Sequence, residues 1–357
     1  VTALAASGPT QTGGRTSDGP ATRSPLTGSG AADGGRTVVR AHAVARVEAG
    51  PDGSARLTEL RSAVPLVMRH TSTSPAGLLA AGRPVAWRLA DLVPPALPTV
   101  TVHLVGAAAG PLTGDQLRLD ISVGTGVRLV LRSVAATLAM PGHGAGPSVL
   151  EIHADVAAGG ALDLLPEPTV AVRGCWHRMV GRATVAVGGW LRWREEILLG
   201  RFGEPSGRIE TDLRVDVRSA RAGGDAGSGH RPLLRQQLAL GPDTPGLGGA
   251  ALVGSARAVG SLLIAAPPKD GGVPTALTGA PDQARVQASG QPEGSLLGRA
   301  PAVGLAGLGV TASVSPAEPA TAGRIPGGAA VLPLEGPGVL VTALADDAVT
   351  LRRHLGD

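Results

Sequence analysis

Residues 208–218 read R-I-E-T-D-L-R-V-D-V-R. Ile209, Thr211, Leu213, Val215 and Val217 fall on one side of an extended chain, and Arg208, Glu210, Asp212, Arg214, Asp216 and Arg218 on the other. Strict alternation of this kind marks a strand with one buried face. The charged side reads as an exposed sheet face, suited to protein contacts because Arg is favoured at them. Upstream, Leu117, Leu119, Ile121 and Val123 oppose Gln116, Arg118, Asp120 and Ser122 in the same way. Further period-two runs occur at Val100/Val102/Leu104, Leu150/Ile152/Ala154/Val156, Ala183/Val185/Val187 and Leu191/Trp193. A Gly-Thr-Gly turn at 124–126, followed by Val127, Leu129 and Leu131, predicts a hairpin. Strand patterns at about ten-residue spacing between Gly and Pro turns predict an all-β fold. Its strands are either helically wound or sandwich-like, and α-helices are few.

Helical periodicity is clearest at the C-terminus. Ala348, Leu351 and Leu355 share a face, Asp346 and Asp347 suit the start, and Arg352, Arg353 and His354 suit the end, with Gly356 just beyond. A shorter helix is predicted over 85–92, before Pro94 and Pro95. Residues 1–36 hold almost no large apolar side chain and predict a disordered N-terminal tail. One β domain then covers 37–357, carrying a Pro-, Gly- and Ala-rich insertion at about 267–328.

Composition narrows the function classes. Hydrophobic residues make up 43% of the chain, yet there is no Tyr and one Phe, so the core must be aliphatic. The net charge of +4 is carried almost entirely by Arg interspersed with Asp and Glu, with Lys269 the single Lys. No basic face is gathered and aromatics able to stack bases are few, four Trp and one Phe, which argues against a nucleic-acid partner. The lone Cys175 excludes an intrachain disulfide and suits a reducing compartment. Residues 248–267 are apolar but carry Arg257 in the middle, which speaks against a membrane span and predicts a pair of buried strands. The N-terminus has no signal-peptide pattern, so the expected location is cytoplasmic.

Five motifs stand in order along the chain. They are A-R-L-T-E-L-R-S-A-V-P-L-V-M-R-H (55–70), a Gly-rich loop H-L-V-G-A-A-A-G-P-L-T-G-D (103–115), S-V-A-A-T-L-A (133–139), D-L-L-P-E-P-T (163–169) and Glu195-Glu196 ahead of Leu199-Gly200-Arg201. In this order they resemble the UreD family of urease accessory proteins. The chain departs from the family pattern at Leu138 and Ala139, where many members have Lys and Tyr. It departs again at Glu167-Pro168, where many have Gln-Glu, a one-place shift that turns the carboxylate to the opposite face of an extended strand.

The resemblance implies a β-rich, non-catalytic scaffold, a chaperone for nickel insertion into urease apoprotein. It implies direct binding of the apoprotein and of UreF, with the GTPase UreG joining through UreF. No tightly bound cofactor is implied, and nickel is transient cargo delivered through a water-filled passage. The carried-over passage or interface positions are Asp115, Glu167, Glu195, Glu196 and Arg201.

A conduit needs oxygen or nitrogen ligands that release the ion, rather than a closed set of imidazoles or thiolates. Asp115 also reads as a turn residue bonded to nearby amides. Of Glu195 and Glu196, adjacent on one strand, one should point to solvent, and the other lies in a polar passage or a buried ion pair. Cys175 and His177 share a strand face but make an incomplete metal site, most simply an incidental pair on a surface strand. The competing class is a β-solenoid hydrolase using Asp115 with Glu195 or Glu196 as acid and base.

Overall fold

The computed structural model describes residues 31–33, 36–71, 96–219, 229–265, 323–325, 328–336 and 338–356. The helix expected over 85–92, most of the 1–36 tail and nearly all of the 267–328 insertion lie outside them. At the end of the expected tail, β1 (Ala31–Asp33) pairs with β2 (Arg36–Val38). The fold is all-β, with two large sheets, the separate β1–β2 pair and the one C-terminal helix among the described residues.

The first sheet contains β3 (Arg40–Ala49), β4 (Ala55–Arg61), β7 (Gln116–Val123), β10 (Ser148–Val156), β13 (Trp176–Ala186), β15 (Arg208–Ser219) and β16 (Gly229–Leu240). Its order is β16-β15-β13-β10-β7-β3-β4, parallel from β15 to β3 and closed at both edges by antiparallel strands. The second sheet is built on β5 (Leu66–Thr71), β6 (Thr99–Gly106), β8 (Arg128–Ser133), β11 (Ala161–Leu165), β14 (Trp190–Leu198), β17 (Ala258–Ala265), β18 (Gly323–Ile325), β19 (Ala329–Pro333) and β20 (Gly338–Ala345). The short strands β9 (Thr137–Ala139) and β12 (Thr169–Ala171) extend it beside β14.

The chain crosses from one sheet to the other and back: β7 to β8, β10 to β11, β13 to β14. The turn at 124–126 is therefore not a hairpin. β7 pairs in the first sheet and β8 in the second, so the turn is an arch between layers. Three such arches stack, tied by Gly126 N–H to Gly159 O (3.0 Å) and Gly159 N–H to Gly188 O (2.9 Å). The stacking is close enough that a Cβ on Gly160 would lie 2.4 Å from Gly124 O.

Stacked coils put like side chains in register. Leu129, Leu162 and Leu191 form one inward row and Leu131, Leu164 and Trp193 the next. Facing them from the first sheet are Val123, Val156, Val185 and Val217, with Ile121, Ala154, Ala183 and Val215 beside these. Apart from Val217 these rows belong to the main core, and each fully buried Leu or Val in it contributes about 1.5–3 kcal/mol. The alternation over 208–218 holds on its inward side, with all five apolar-side residues buried. On its outward side, Asp212 is buried by Arg178, Arg182 and Arg214, so that face is an ion-pair ladder rather than a fully exposed one.

The stretch 248–267 is not two strands. Residues 248–256 are turns and β17 alone follows, its backbone paired on both sides with β14 and β20. No helix among the described residues is long and apolar enough to cross a membrane. The C-terminal helix α1 (Ala348–Leu355) starts at Asp347, whose carboxylate accepts from Thr350 N–H, and ends at Gly356 with φ 82. Leu351 and Leu355 are its buried face. They lie over Gly260 of β17, which has no side chain to hold them off.

Candidate functional site

β14 carries the paired carboxylates. Its inward positions are Leu191, Trp193, Glu195 and Ile197, and its outward ones Arg192, Arg194, Glu196 and Leu198. Beside it the neighbouring strands are broken. β8 ends at Ser133 and β9 starts at Thr137, and in the next coil β11 ends at Leu165 and β12 starts at Thr169. The two breaks are stitched together by Glu167 N–H to Ser133 Oγ (2.8 Å) and Thr137 N–H to Pro168 O (2.9 Å). Prolines at 166 and 168 cannot donate to a ladder, which is why the sheet stops there.

A cavity of about 60 Å³ lies at this gap, bordered by Ser133, Thr137, Thr169, Glu167, Glu195 and Glu196 together with apolar core residues. That is room for a few water molecules. A second, of about 230 Å³, shares Leu104, Ser133, Thr137 and Leu150 with it and continues to Ala108, Gly110 and Pro111. All five motifs quoted above, which sequence order scatters from Pro65 to Glu196, therefore line one pair of adjoining cavities.

Glu195 points between the sheets. Its one hydrogen-bond donor among the described residues is the Trp193 indole, with Nε1 3.2 Å from Oε1, and no guanidinium pairs with it. Burial pushes its pKa up to about 7, against the smaller opposing pull of the indole. The Trp193 ring in turn lies over Gly181, where a Cβ would come 2.8 Å from Trp193 Cζ2 and 2.6 Å from Leu213 Cδ1. Gly181→Ala should therefore lower stability by about 1–3 kcal/mol and shift the tryptophan emission as the indole moves. Unchanged melting and emission would show that the ring does not depend on the missing side chain.

Glu195 is half-buried and Glu196 is buried. Glu196 faces outward but lies under α1, where Arg352 Nε and Nη2 clasp its two oxygens at 3.1 and 2.6 Å. The same guanidinium reaches Glu167 Oε2 at 3.0 Å, and Arg194 Nε stands 3.7 Å from Glu196. Glu196, first, and Glu167 raise the Arg352 pKa above its ordinary value. Arg352 was expected only as a helix-terminal charge. Its role was missed because nothing local in the sequence links it to a strand 156 residues away.

The other predicted positions lie elsewhere. Asp115 is buried, and its two oxygens accept from Val39 N–H and Leu112 N–H, both at 2.9 Å. It borders neither cavity, so it is not brought together with Glu195 or Glu196 as an acid–base pair. Arg201 is exposed on the β14–β15 turn and pairs with Glu204. Cys175 and His177 are not on a surface strand, for both are buried. Cys175 Sγ donates to Arg208 O at 3.7 Å, and burial pushes the thiol up to about 11. His177 Nδ1 meets Ser148 Oγ at 2.9 Å, and burial holds the imidazole down to about 4, so it is neutral at ordinary pH. Among the described residues no group of three or more His, Cys, Asp or Glu is placed to hold a metal ion together.

Coiled sheets around a carboxylate-bordered cavity, with a guanidinium on a C-terminal helix closing its outer side, define an all-β protein whose distinctive groups are Glu167, Glu195, Glu196 and Arg352. The chain belongs to the family described as UreD urease accessory protein, whose profile matches residues 40–357. It is 53% identical over 325 residues to a urease accessory protein UreD of Frankia casuarinae, covering 91% of this chain and 90% of that one. It is 51% identical over 330 residues to the UreD of Frankia alni, covering 90% and 92%. Against the UreD of Streptomyces avermitilis the identity is 33% over 257 residues, covering 72% of this chain and 79% of that one.

Proposed function

We propose that this chain is a non-catalytic cytoplasmic scaffold for nickel insertion into urease apoprotein. It binds the apoprotein and UreF directly and works with the GTPase UreG through UreF. Nickel is its cargo, held transiently, and no resident cofactor is needed. The observation that carries this reading is the convergence of the motifs at 103–115, 133–139, 163–169 and 195–196 on two adjoining cavities between and beside the sheets.

The chemistry fits transfer rather than storage. Oxygen donors suit a borderline divalent ion that must leave again, whereas imidazole and thiolate sets retain it. Glu195 stands inside, Glu196 and Glu167 stand at the sheet gap, and hydroxyls of Ser133, Thr137 and Thr169 border the same space. Asp115 serves as a clamp on backbone amides, which weakens the hydrolase alternative, since its general acid and base would have to share one substrate.

The test is reconstitution. Purified chain mixed with urease apoprotein, UreF, UreG, GTP and nickel should raise urease activity and the nickel content of urease, while the chain alone hydrolyses no urea. Glu195→Gln should keep complex formation and lower activation. Full activation without this chain would overturn the proposal, and full activation by the Gln variant would remove Glu195 from the route.

A further inference from the structure

The chain contains one Phe and no Tyr, and that Phe is not in the core. Phe202 sits on the β14–β15 turn with its side chain fully exposed, at 107%. The turn that carries it is fixed at both ends. Glu204 N–H donates to Arg201 O (3.0 Å), while Arg201 Nε and Nη2 donate to the two oxygens of the Glu204 carboxylate at 2.7 and 3.1 Å. Arg201 N–H adds a bond to Glu204 Oε2 (3.1 Å). From the chain leading into β17, Arg257 Nη2 donates to Arg201 O (3.1 Å) and Glu204 O (2.6 Å). Gly203 supplies the positive φ of 69 that the third turn position adopts. The Arg201 side chain holds the Glu204 carboxyl down to about 2, so this clamp is ionised throughout the neutral range.

The backbone that presents the ring is fixed before any partner arrives, which removes part of the entropy cost of binding. Large, rigid aromatic side chains are the usual anchors of protein interfaces. The surroundings are cationic. Exposed Arg173, whose backbone N–H also donates to the Glu204 carboxylate, stands with Arg201 and Arg257, and Glu204 is neutralised by Arg201. The complementary surface is an apolar pocket with a rim of carboxylates.

We infer that Phe202 is a docking anchor for urease apoprotein, seated in such a pocket. The choice of occupant rests on the function proposed above. It also rests on place, because the turn directly continues β14, the strand whose Glu195 and Glu196 border the cavity. A partner seated on Phe202 is held at the end of that strand.

Binding of the full chain to immobilised urease apoprotein tests this. Phe202→Ala should weaken the affinity at least tenfold with an unchanged melting temperature, since the fully exposed ring packs on nothing among the described residues. Phe202→Leu should recover most of the loss, and Arg173→Glu should weaken binding at least threefold and flatten its salt dependence. Affinity for UreF should be unaffected by Phe202→Ala. Wild-type chain that does not bind urease apoprotein would overturn both this inference and the scaffold reading. Wild-type binding matched by Phe202→Ala would overturn the inference alone, as would a loss seen for UreF but not for urease.

Discussion

Arg352→Gln is expected to lower stability by about 3 kcal/mol near neutral pH, read as a melting-temperature fall of roughly 6–12 °C. Arg352 makes a two-point clasp on Glu196, whose side chain has no exposed surface. Without it the counter-charge left to Glu196 among the described residues is Arg194, at 3.7 Å. A buried carboxylate stripped of its main partner retains its desolvation penalty and loses the compensation, and that asymmetry sets the size of the effect. The Glu167 arm is different, because Glu167 is 32% and Arg352 30% exposed, so solvent screens the pair. Glu167→Gln should therefore cost only about 0.5–1 kcal/mol. Thermal melts of both variants, with the Arg352→Gln/Glu196→Gln double variant closing a cycle, measure the coupling directly. An Arg352→Gln protein as stable as the wild type, or a Glu167→Gln protein equally damaged, would refute this ranking.

The strands themselves were legible because period-two patterning is local. Leu117 to Val123 and Ile209 to Val217 needed no partner to be read, and their inward faces are buried as the alternation requires. The connection between sheets was not legible from the same signal. A Gly turn between two alternating runs looks alike whether the second strand returns beside the first or crosses to an opposite layer. The distinguishing pattern is a seven-residue repeat, V-G-T-G-V-R-L (123–129), V-A-A-G-G-A-L (156–162) and V-A-V-G-G-W-L (185–191), whose first and last members stack in register. Such a repeat marks coils of a solenoid rather than hairpins.

Facing was harder to read than existence. Alternation correctly divides Glu195 from Glu196, but it cannot tell solvent from a covering helix. α1 arrives from the far end of the chain, and its Arg352 turns the outward face of β14 into a buried one. Cys175 and His177 were misplaced for a related reason: the charged and polar residues around them, Arg173, Arg178 and Arg208, mark the outer face of this corner, while the pair itself points inward. The cavity could be anticipated only as a motif cluster, since the two strand breaks that form it become adjacent through the stacking of coils.

Glu195→Gln is expected to make the protein more stable above neutral pH, by about 3 kcal/mol. The folded carboxyl titrates at about 7 against an ordinary 4.5, because burial disfavours its charge. Below pH 4.5 it is protonated in both states and costs nothing. Between 4.5 and 7 the unfolded chain releases this proton first, so the folded state binds more protons and stability falls as pH rises. Above 7 the deficit is constant, at about 1.4 kcal/mol for each of roughly 2.5 pH units. His177 acts in the opposite sense. Held down to about 4 from 6.5, it makes the unfolded state the better proton binder between those values, so its contribution rises with pH. The two slopes oppose each other between about pH 4.5 and 6.5, and the wild-type curve should be nearly level there. With Gln the side-chain carbonyl still accepts from Trp193, but the falling slope is gone and the His177 rise stands alone. Urea unfolding from pH 4 to 8 should show the two proteins equal near pH 4 and diverging steadily to pH 7, the variant being the more stable. Equal stabilities at pH 8 would mean that the Glu195 carboxyl is solvated or paired in the folded protein. The predicted divergence would mean that the chain carries, at the edge of its cavity, a carboxylate that weakens its own fold. A group that weakens the fold at its working pH is what a functional role for that carboxylate predicts.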